Sequence, residues 1–389
     1  MKNIIIVGCG CSGAILSRKI AEELDCPVQI VERRPHIAGN MYDEYDEHGI
    51  LIQKYGPHHF YTNNYKVFAF WEQYGELFTH YYKCKNLVDG RYITRPFNFL
   101  TIQELMGREK AAKIIPEMRR VFEGRQRVPV IELLECKNSI IAEYGNVLFD
   151  KCFRPYIQKM WDIPLEKIDR YVLGRRAMAM GYDERDADYD FQGLPKNGWT
   201  KCFEKLLDHR NIRVKLNTDA LEHISFENNH VLYDNEFVDC LIFTGPIDEL
   251  FQFKYGKLPY RSLDIRWNHY DSDSVLPAEG ISYPQAIGYV RETEYRKMMF
   301  DTSGIQGSTV STEYPLEYCR ESDIGNEPYY PVITKESLEI YHQYEVESRR
   351  YGNIFLCGRL AEFRYIDIHT CVEHALEYFE NIKTYLTRV

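Results

Sequence analysis

The N-terminal stretch, residues 1–40, limits the possible folds more than any other. Residues 4–7 are an apolar, β-branched run, followed by Gly8, Gly10 and Gly13 at G-x-G-x-x-G spacing. A helical pattern continues to about residue 24, and a second strand over 28–31 ends in Glu32. Strand, glycine loop, helix, strand and terminal acid together form the dinucleotide-binding βαβ unit, a far narrower signal than the glycines alone. Gly8 permits the tight turn, Gly10 lets backbone approach a pyrophosphate, and Gly13 lets helix and strand pack closely. Cys11 and Ser12 open the helix, whose unpaired N–H groups and dipole favour anions. Glu32, about 20 residues beyond the glycines, is placed to bind a ribose hydroxyl. Arg33, Arg34, Gly39 and Asn40 extend the motif past the acid. Small residues there leave room for a longer cofactor, so the expected ligand is FAD, bound non-covalently, in preference to NAD.

The remaining composition narrows the class. With 389 residues the chain can form two or three domains around a sizeable core. Asp and Glu outnumber Lys and Arg by 58 to 48, a net charge of −10 that argues against a nucleic-acid surface as the main business. The 11 cysteines are scattered and include no C-x-x-C pair. They read as reduced thiols of a cytoplasmic protein, with neither a disulfide framework nor a metal site. The N-terminal apolar run is a short strand that meets glycines at once, so neither a signal peptide nor a membrane span is expected.

Further along, residues 49–52 read as a short strand leading to a Gly56-Pro57 turn and the adjacent His58 and His59. Residues 85–88 and 91–94 form a hairpin about Asp89-Gly90. Residues 101–161 have helical periodicity. Residues 168–182 read as another helix, and 181–190 as an acidic, mobile loop carrying Arg185. Residues 192–199 read as a Gly/Pro turn before a helix over 200–208. Strands follow at 212–216, 230–233 and 237–243, the last ending in Thr244-Gly245. Residues 258–312 are strand-rich, with 260–263 opening one strand and 287–291 lying within another. A late strand runs into Gly358-Arg359, and a helix over 368–386 has Asp367 as its N-cap. Such a helix N-terminus stabilises the anionic side of a reduced flavin.

The expected fold class is α/β: a Rossmann-like FAD-binding domain with a helical insertion domain and an antiparallel β-sheet domain. The expected boundaries are 1–80 with 192–250 and 335–389 for FAD binding, 99–190 for a helical substrate cap, and 81–98 with 251–334 for the sheet.

Five blocks carry a family likeness: Val31-Glu32-Arg33-Arg34, Lys54-Tyr55-Gly56-Pro57-His58, Thr244-Gly245-Pro246-Ile247-Asp248, Glu327-Pro328-Tyr329-Tyr330-Pro331-Val332, and Gly358-Arg359-Leu360-Ala361-Glu362. In these blocks and their order the chain resembles the UDP-galactopyranose mutase family over nearly its whole length. The resemblance implies an isomerase that interconverts pyranose and furanose forms of a nucleotide sugar, with the N5 atom of reduced FAD as nucleophile at the anomeric carbon. It implies a base platform at Tyr156 and Trp161, a diphosphate-binding arginine at Arg291, and diphosphate-contacting tyrosines at Tyr330 and Tyr365. His58, Arg359 and Asp367 match positions around the flavin, with His59, Thr244 and Ile368 completing the cofactor set. Arg291 and His58 are the candidate catalytic residues. The implied partners are the nucleotide sugar and a cellular flavin reductant such as NAD(P)H, with a homodimer as the candidate assembly and cell-surface polysaccharide synthesis as the setting.

Three departures cluster where substrate would bind. An arginine matches at Arg175, but the second loop arginine of the family falls on Ala179, leaving Arg176 or Arg185 as substitutes. A tyrosine becomes Phe191, and a histidine near the sugar becomes Tyr61. The default substrate is UDP-galactopyranose, with a modified or deoxy hexose as the variant these changes suggest. Two other readings remain: a flavin oxidoreductase of the amine-oxidase class, which shares the opening unit, and a non-catalytic nucleotide-sugar binder, motivated by Ala179.

Overall fold

The computed structural model describes residues 2–162, 164, 177–185 and 188–388. The chain divides into two compact units.

The first unit comprises Met1–Thr79, Tyr189–Ser262 and Glu317–Val389. Its centre is a five-stranded parallel sheet. In chain order the strands are β1 (Ile4–Val7), β2 (Val28–Val31), β3 (Ile212–Lys215), β4 (Cys240–Phe243) and β5 (Ile354–Leu356). Their spatial order is β3-β2-β1-β4-β5. Ile5 lies opposite Gln29 on one side and Leu241 on the other. The central strands β1 and β4 read as continuous apolar runs because both faces are covered, whereas the edge strand β3 (Ile-Arg-Val-Lys) alternates. The period-2 alternation of a strand divides them cleanly. Ile4, Ile6, Ile30 and Ile242 join one core with Trp71, Trp199, Phe203 and Phe379, while Ile5, Val31, Leu241 and Phe243 join another with Phe251, Tyr260 and Tyr344. Helix α1 (Cys11–Glu23) and helix α2 (Ile368–Arg388) pack together in the first of these cores.

Two expectations in this unit need correction. Residues 192–195 are not a turn; they lie in the strand Phe191–Pro195, antiparallel to Phe60–Thr62 and to Leu77–Thr79. Gly193 makes the pairing possible, since a Cβ there would stand 2.5 Å from the Phe78 carbonyl oxygen. Residues 237–243 are two strands: Glu236–Phe237 closes a small antiparallel sheet and Cys240–Phe243 is β4.

The second unit comprises His80–Asp188 and Leu263–Leu316. Its hairpin Cys84–Val88 and Arg91–Arg95 turns at Asp89 and Gly90, both at positive φ as a tight right-twisted hairpin requires. Gly280–Ser282 pairs in parallel with Cys84–Val88, and Arg291–Glu294 runs antiparallel to both Gly280–Ser282 and Ser308–Glu317. Residues 287–290 precede that strand and Ile287 is 96% exposed, so the expected strand over 287–291 begins only at its last residue. The helical region starts at Phe99–Met106, capped by Asn98 and Thr101 in a reciprocal box, and its last helix among the described residues is Arg154–Trp161.

The helix expected over 168–182 falls mostly outside the described residues. Its described end is a strand, Ala177–Ala179, paired antiparallel with Arg127–Pro129. Ala and Met favour helix. Here the fully buried Met178 packs into the helical core, and the Ala179 N–H donates to the Phe97 carbonyl at 2.7 Å, so tertiary pairing overrides propensity. Among the described residues no helix is long and apolar enough to cross a membrane.

Candidate active site

The first unit contains a cavity whose wall begins where β1 ends. Gly8 has φ +98°, and a Cβ there would lie 2.2 Å from Thr244 Oγ1. Thr244 Oγ1 itself donates to the Val7 carbonyl at 2.8 Å, which ties the ends of β1 and β4 together. Gly39 has φ +58°, and a Cβ on it would reach 2.7 Å from the Gly10 Cα. Gly10 caps α1 with no side chain to occupy its N–H groups. A glycine cradle and a bare helix N-terminus therefore face the same space, the arrangement a pyrophosphate needs.

Of the expected cofactor residues, Gly8, Gly10, Cys11, Ser12, Glu32, Arg33, Gly39, Asn40, His58, Thr244, Arg359, Asp367 and Ile368 line this cavity. Gly13 does not line it. A Cβ at Gly13 would stand 2.1 Å from the Gly8 carbonyl oxygen, so its duty is helix packing. His59 is also absent from the lining.

Glu32 ends β2 with both oxygens engaged. One accepts from the Cys9 N–H at 2.8 Å, the other from the Arg34 N–H at 3.0 Å and the Arg34 Nε at 3.2 Å. Burial pushes this carboxyl up, but the Arg34 charge and the two backbone donors outweigh it and hold it below its usual range. Arg34 also lies over the Tyr55 ring at 4.9 Å, and Arg33 pairs with Glu327 at 3.0 Å. Arg320 pairs with Asp219 and Glu249. Arg34, Asp219, Glu249, Tyr318, Arg320, Glu327 and Cys371 all line the cavity and were not foreseen as site residues. Arg34 and Glu327 stood inside quoted blocks, a signal that could have found them. Asp219, Glu249 and Arg320 carry no local motif and arrive by chain folding alone.

At the far wall, Arg359 donates to the Ile366 carbonyl from Nε (3.1 Å) and Nη2 (2.6 Å), and to the Tyr329 carbonyl at 3.2 Å. Its guanidinium carbon lies 5.2 Å from the Tyr330 ring and 5.3 Å from the Tyr365 ring. Those rings stack 5.3 Å apart at 8°. One arginine thus fixes two loops and aligns two phenols. Tyr61 packs with Tyr189 (4.7 Å) and His369 (5.2 Å), whereas Phe191 packs on Phe68 (4.9 Å) and Tyr65 (5.6 Å). His58 Nδ1 is 2.7 Å from the Gly56 carbonyl, and the Trp199 indole donates to the His58 carbonyl at 2.9 Å.

In the second unit Arg291 stands opposite Glu313 across the sheet and meets it with two N–H donors, at 2.8 and 2.9 Å. Glu313 is only 2% exposed. Tyr156 and Trp161 are half-buried on Arg154–Trp161. Lys159, between them, was not foreseen. Its ammonium donates to the carbonyls of Tyr283 (2.7 Å), Ala286 (2.6 Å) and Tyr289 (2.6 Å), fastening that helix to the loop that precedes Arg291. Arg185 pairs with Asp183 at the surface and lies 5.5 Å from the Tyr81 ring. Ala179 is held in its strand. Arg175 and Arg176 lie outside the described residues.

A family profile described as UDP-galactopyranose mutase matches residues 151–365, and one described as an NAD(P)-binding Rossmann-like domain matches 6–74. A UDP-galactopyranose mutase of Mycoplasma pneumoniae is 31% identical over 98% of this chain and 96% of its own length. The chain belongs to the UDP-galactopyranose mutase family. The family extends beyond one sugar: a dTDP-fucopyranose mutase of Escherichia coli is also 31% identical, covering 97% of each chain. The crystal structure of a reduced UDP-galactopyranose mutase shares the fold, with a TM-score of 0.71 at 15% identity over 99% of this chain and 94% of its own.

Proposed function

We propose that the chain is a flavin-dependent mutase that interconverts the pyranose and furanose forms of a nucleotide sugar, and that its cofactor is FAD. The observation that carries this reading is the glycine cradle at the bare N-terminus of α1, in a chain of this family. When bound and reduced, FAD supplies an electron-rich N5 as the nucleophile at the anomeric carbon. The chain's own residues do the rest. Gly8, Gly10 and the first N–H groups of α1 hold the pyrophosphate, and the ionised Glu32 accepts from a ribose hydroxyl. The N-terminus of α2, entered through Asp367 and Ile368, lines the same cavity as His58, and its positive dipole end would favour the anionic form of a reduced flavin.

The departing diphosphate needs cations and phenols. Arg291 suits it because a guanidinium donates in pairs and stays charged. Its two-point contact with Glu313 orients the fork. Tyr330 and Tyr365, aligned by Arg359, add hydroxyl donors. Tyr156 and Trp161, on the helix Arg154–Trp161, serve the base, and the segment 99–190 is the proposed substrate cap. Arg185 is the candidate for the arginine absent at Ala179, since release from an exposed carboxylate costs little. Tyr61 and Phe191 replace polar partners of the sugar, which favours a less hydroxylated hexose beside UDP-galactose. The family's two sugars among the relatives support that range. NAD(P)H is the proposed reductant and a homodimer the proposed assembly.

The test is turnover by the protein in both redox states. Dithionite-reduced protein incubated with UDP-galactofuranose, and separately with dTDP-fucofuranose, should yield the pyranose by chromatography, and oxidised protein should not. Steady oxygen consumption on an amine would sink the proposal in favour of an oxidase. FAD binding with no turnover on either sugar would favour a non-catalytic binder.

A further inference from the structure

Three side chains with metal-binding atoms converge where β5 ends. Cys357 follows β5 directly, is fully buried and is a free thiol. Glu362 lies in the turn after it, and His374 lies in the second turn of α2. His374 Nδ1 stands 3.2 Å from Glu362 Oε2 and 3.9 Å from Cys357 Sγ. All three ligand atoms lie within 4.8 Å of one another, the one such cluster among the described residues. None of the three residues lines the cofactor cavity.

We infer that Cys357, Glu362 and His374 bind a zinc ion, which fastens β5 and the turn after it to α2. The donor set selects the metal. Thiolate, imidazole and carboxylate are the ligand types of zinc, whereas magnesium and calcium take oxygen ligands. The spacing agrees. Zinc bonds of about 2.0–2.3 Å at tetrahedral angles set ligand atoms about 3.3–3.6 Å apart. The imidazole and carboxylate already stand near that separation, and the thiol needs only a slight approach. The Gly358 N–H donates to Glu362 Oε2 at 2.7 Å, the kind of outer contact that orients a ligating carboxylate. The Glu362 and His374 side chains are 13% and 26% exposed, which gives the ion a way in and leaves a fourth position for water. Zinc takes the thiolate and the neutral imidazole, so the thiol proton leaves to solvent on binding. Scattered cysteines with no C-x-x-C pair gave no sign of this site, because the turn and α2 supply the other two ligands. The inference is independent of the proposed cofactor and reaction.

The test strips the full chain of metal with a chelator and titrates it with Co2+, read as difference spectra so that any bound flavin cancels. Cobalt–thiolate complexes absorb in the near ultraviolet, and tetrahedral cobalt absorbs in the visible. One equivalent should bind with both signals, and Zn2+ should displace it and raise the melting temperature. Cys357→Ser should lose the thiolate band. His374→Ala, at a partly exposed position, should weaken Zn2+ affinity by at least about tenfold, the loss that removing even an outer-shell partner brings. Cys319→Ser, which removes an exposed thiol, should leave the titration unchanged. Circular dichroism checks folding, and if Cys357→Ser does not fold, His374→Ala decides. A wild-type chain with no thiolate band overturns the proposal, and so does a folded His374→Ala variant with unchanged Zn2+ affinity. A band that persists in folded Cys357→Ser, or that vanishes in Cys319→Ser, places the metal elsewhere and overturns it equally.

Discussion

At the scale of single residues, charge placement decides most. Arg291→Ala removes a bidentate cation from Glu313, which is 2% exposed and would be left charged and buried. Stability should fall by about 3 kcal/mol, and kcat/KM by at least about tenfold, or ~1.4 kcal/mol. Denaturant titration and steady-state kinetics read the two separately. Unchanged kinetics in a folded variant would remove Arg291 from the site. Glu32 has a defined pH signature. Its folded carboxyl titrates below the unfolded one, so the unfolded chain binds more protons between the two values. The stabilisation is complete above about pH 4.5 and is lost as pH falls through the lower folded value. The melting temperature of the wild type should therefore drop more steeply in acid than that of Glu32→Gln. Gly39→Ala places a methyl 2.7 Å from Gly10 Cα at a φ of +58°. FAD affinity should weaken by at least about tenfold, near 1.4 kcal/mol, as measured by flavin fluorescence. These residues differ in how far the sequence disclosed them. Glu32 and Gly39 stood at motif spacing. Arg291 was legible only through a family likeness, and its partner Glu313 only through strand register, which no local pattern specifies.

At the scale of elements, Lys159 stands out. One ammonium satisfies three carbonyls of residues 283–289 and joins them to the helix bearing Tyr156 and Trp161. Lys159→Met leaves those acceptors without their charged donor and should cost about 1–3 kcal/mol of stability. If the loop positions Arg291, KM should rise more than kcat falls. An equal fall in kcat and kcat/KM would instead place the effect in the transition state. The sequence-based errors also belong to this scale. Residues 192–195 looked like a turn because Gly and Pro punctuate loops, yet Gly193 is there for close strand contact. The Met/Ala run at 177–179 has helical propensity, but a buried Met178 and a partner strand decided otherwise. Short segments near glycine or proline are weakly specified by local pattern, and the neighbour that settles them lies far along the chain.

At the scale of the whole molecule, the cavity belongs to the first unit alone, since every residue that lines it comes from that unit's three segments. FAD should therefore slow amide hydrogen exchange around residues 8–13, 32–40 and 358–371, and leave the 84–95 hairpin at its cofactor-free rate. Equal protection of the hairpin would contradict that assignment. With FAD at about 100 times its Kd, the first unit should gain about 2.7 kcal/mol. By itself the sequence determined the βαβ unit, the glycine cradle, the acid at the end of β2 and the family. These rest on spacing along one continuous stretch or on contiguous blocks, where backbone geometry leaves few alternatives. Only tertiary structure decided that Arg320 meets Asp219 and Glu249 and that Lys159 holds a distant loop. Each of these contacts joins residues far apart in the chain, and packing of the completed fold sets which side chains meet.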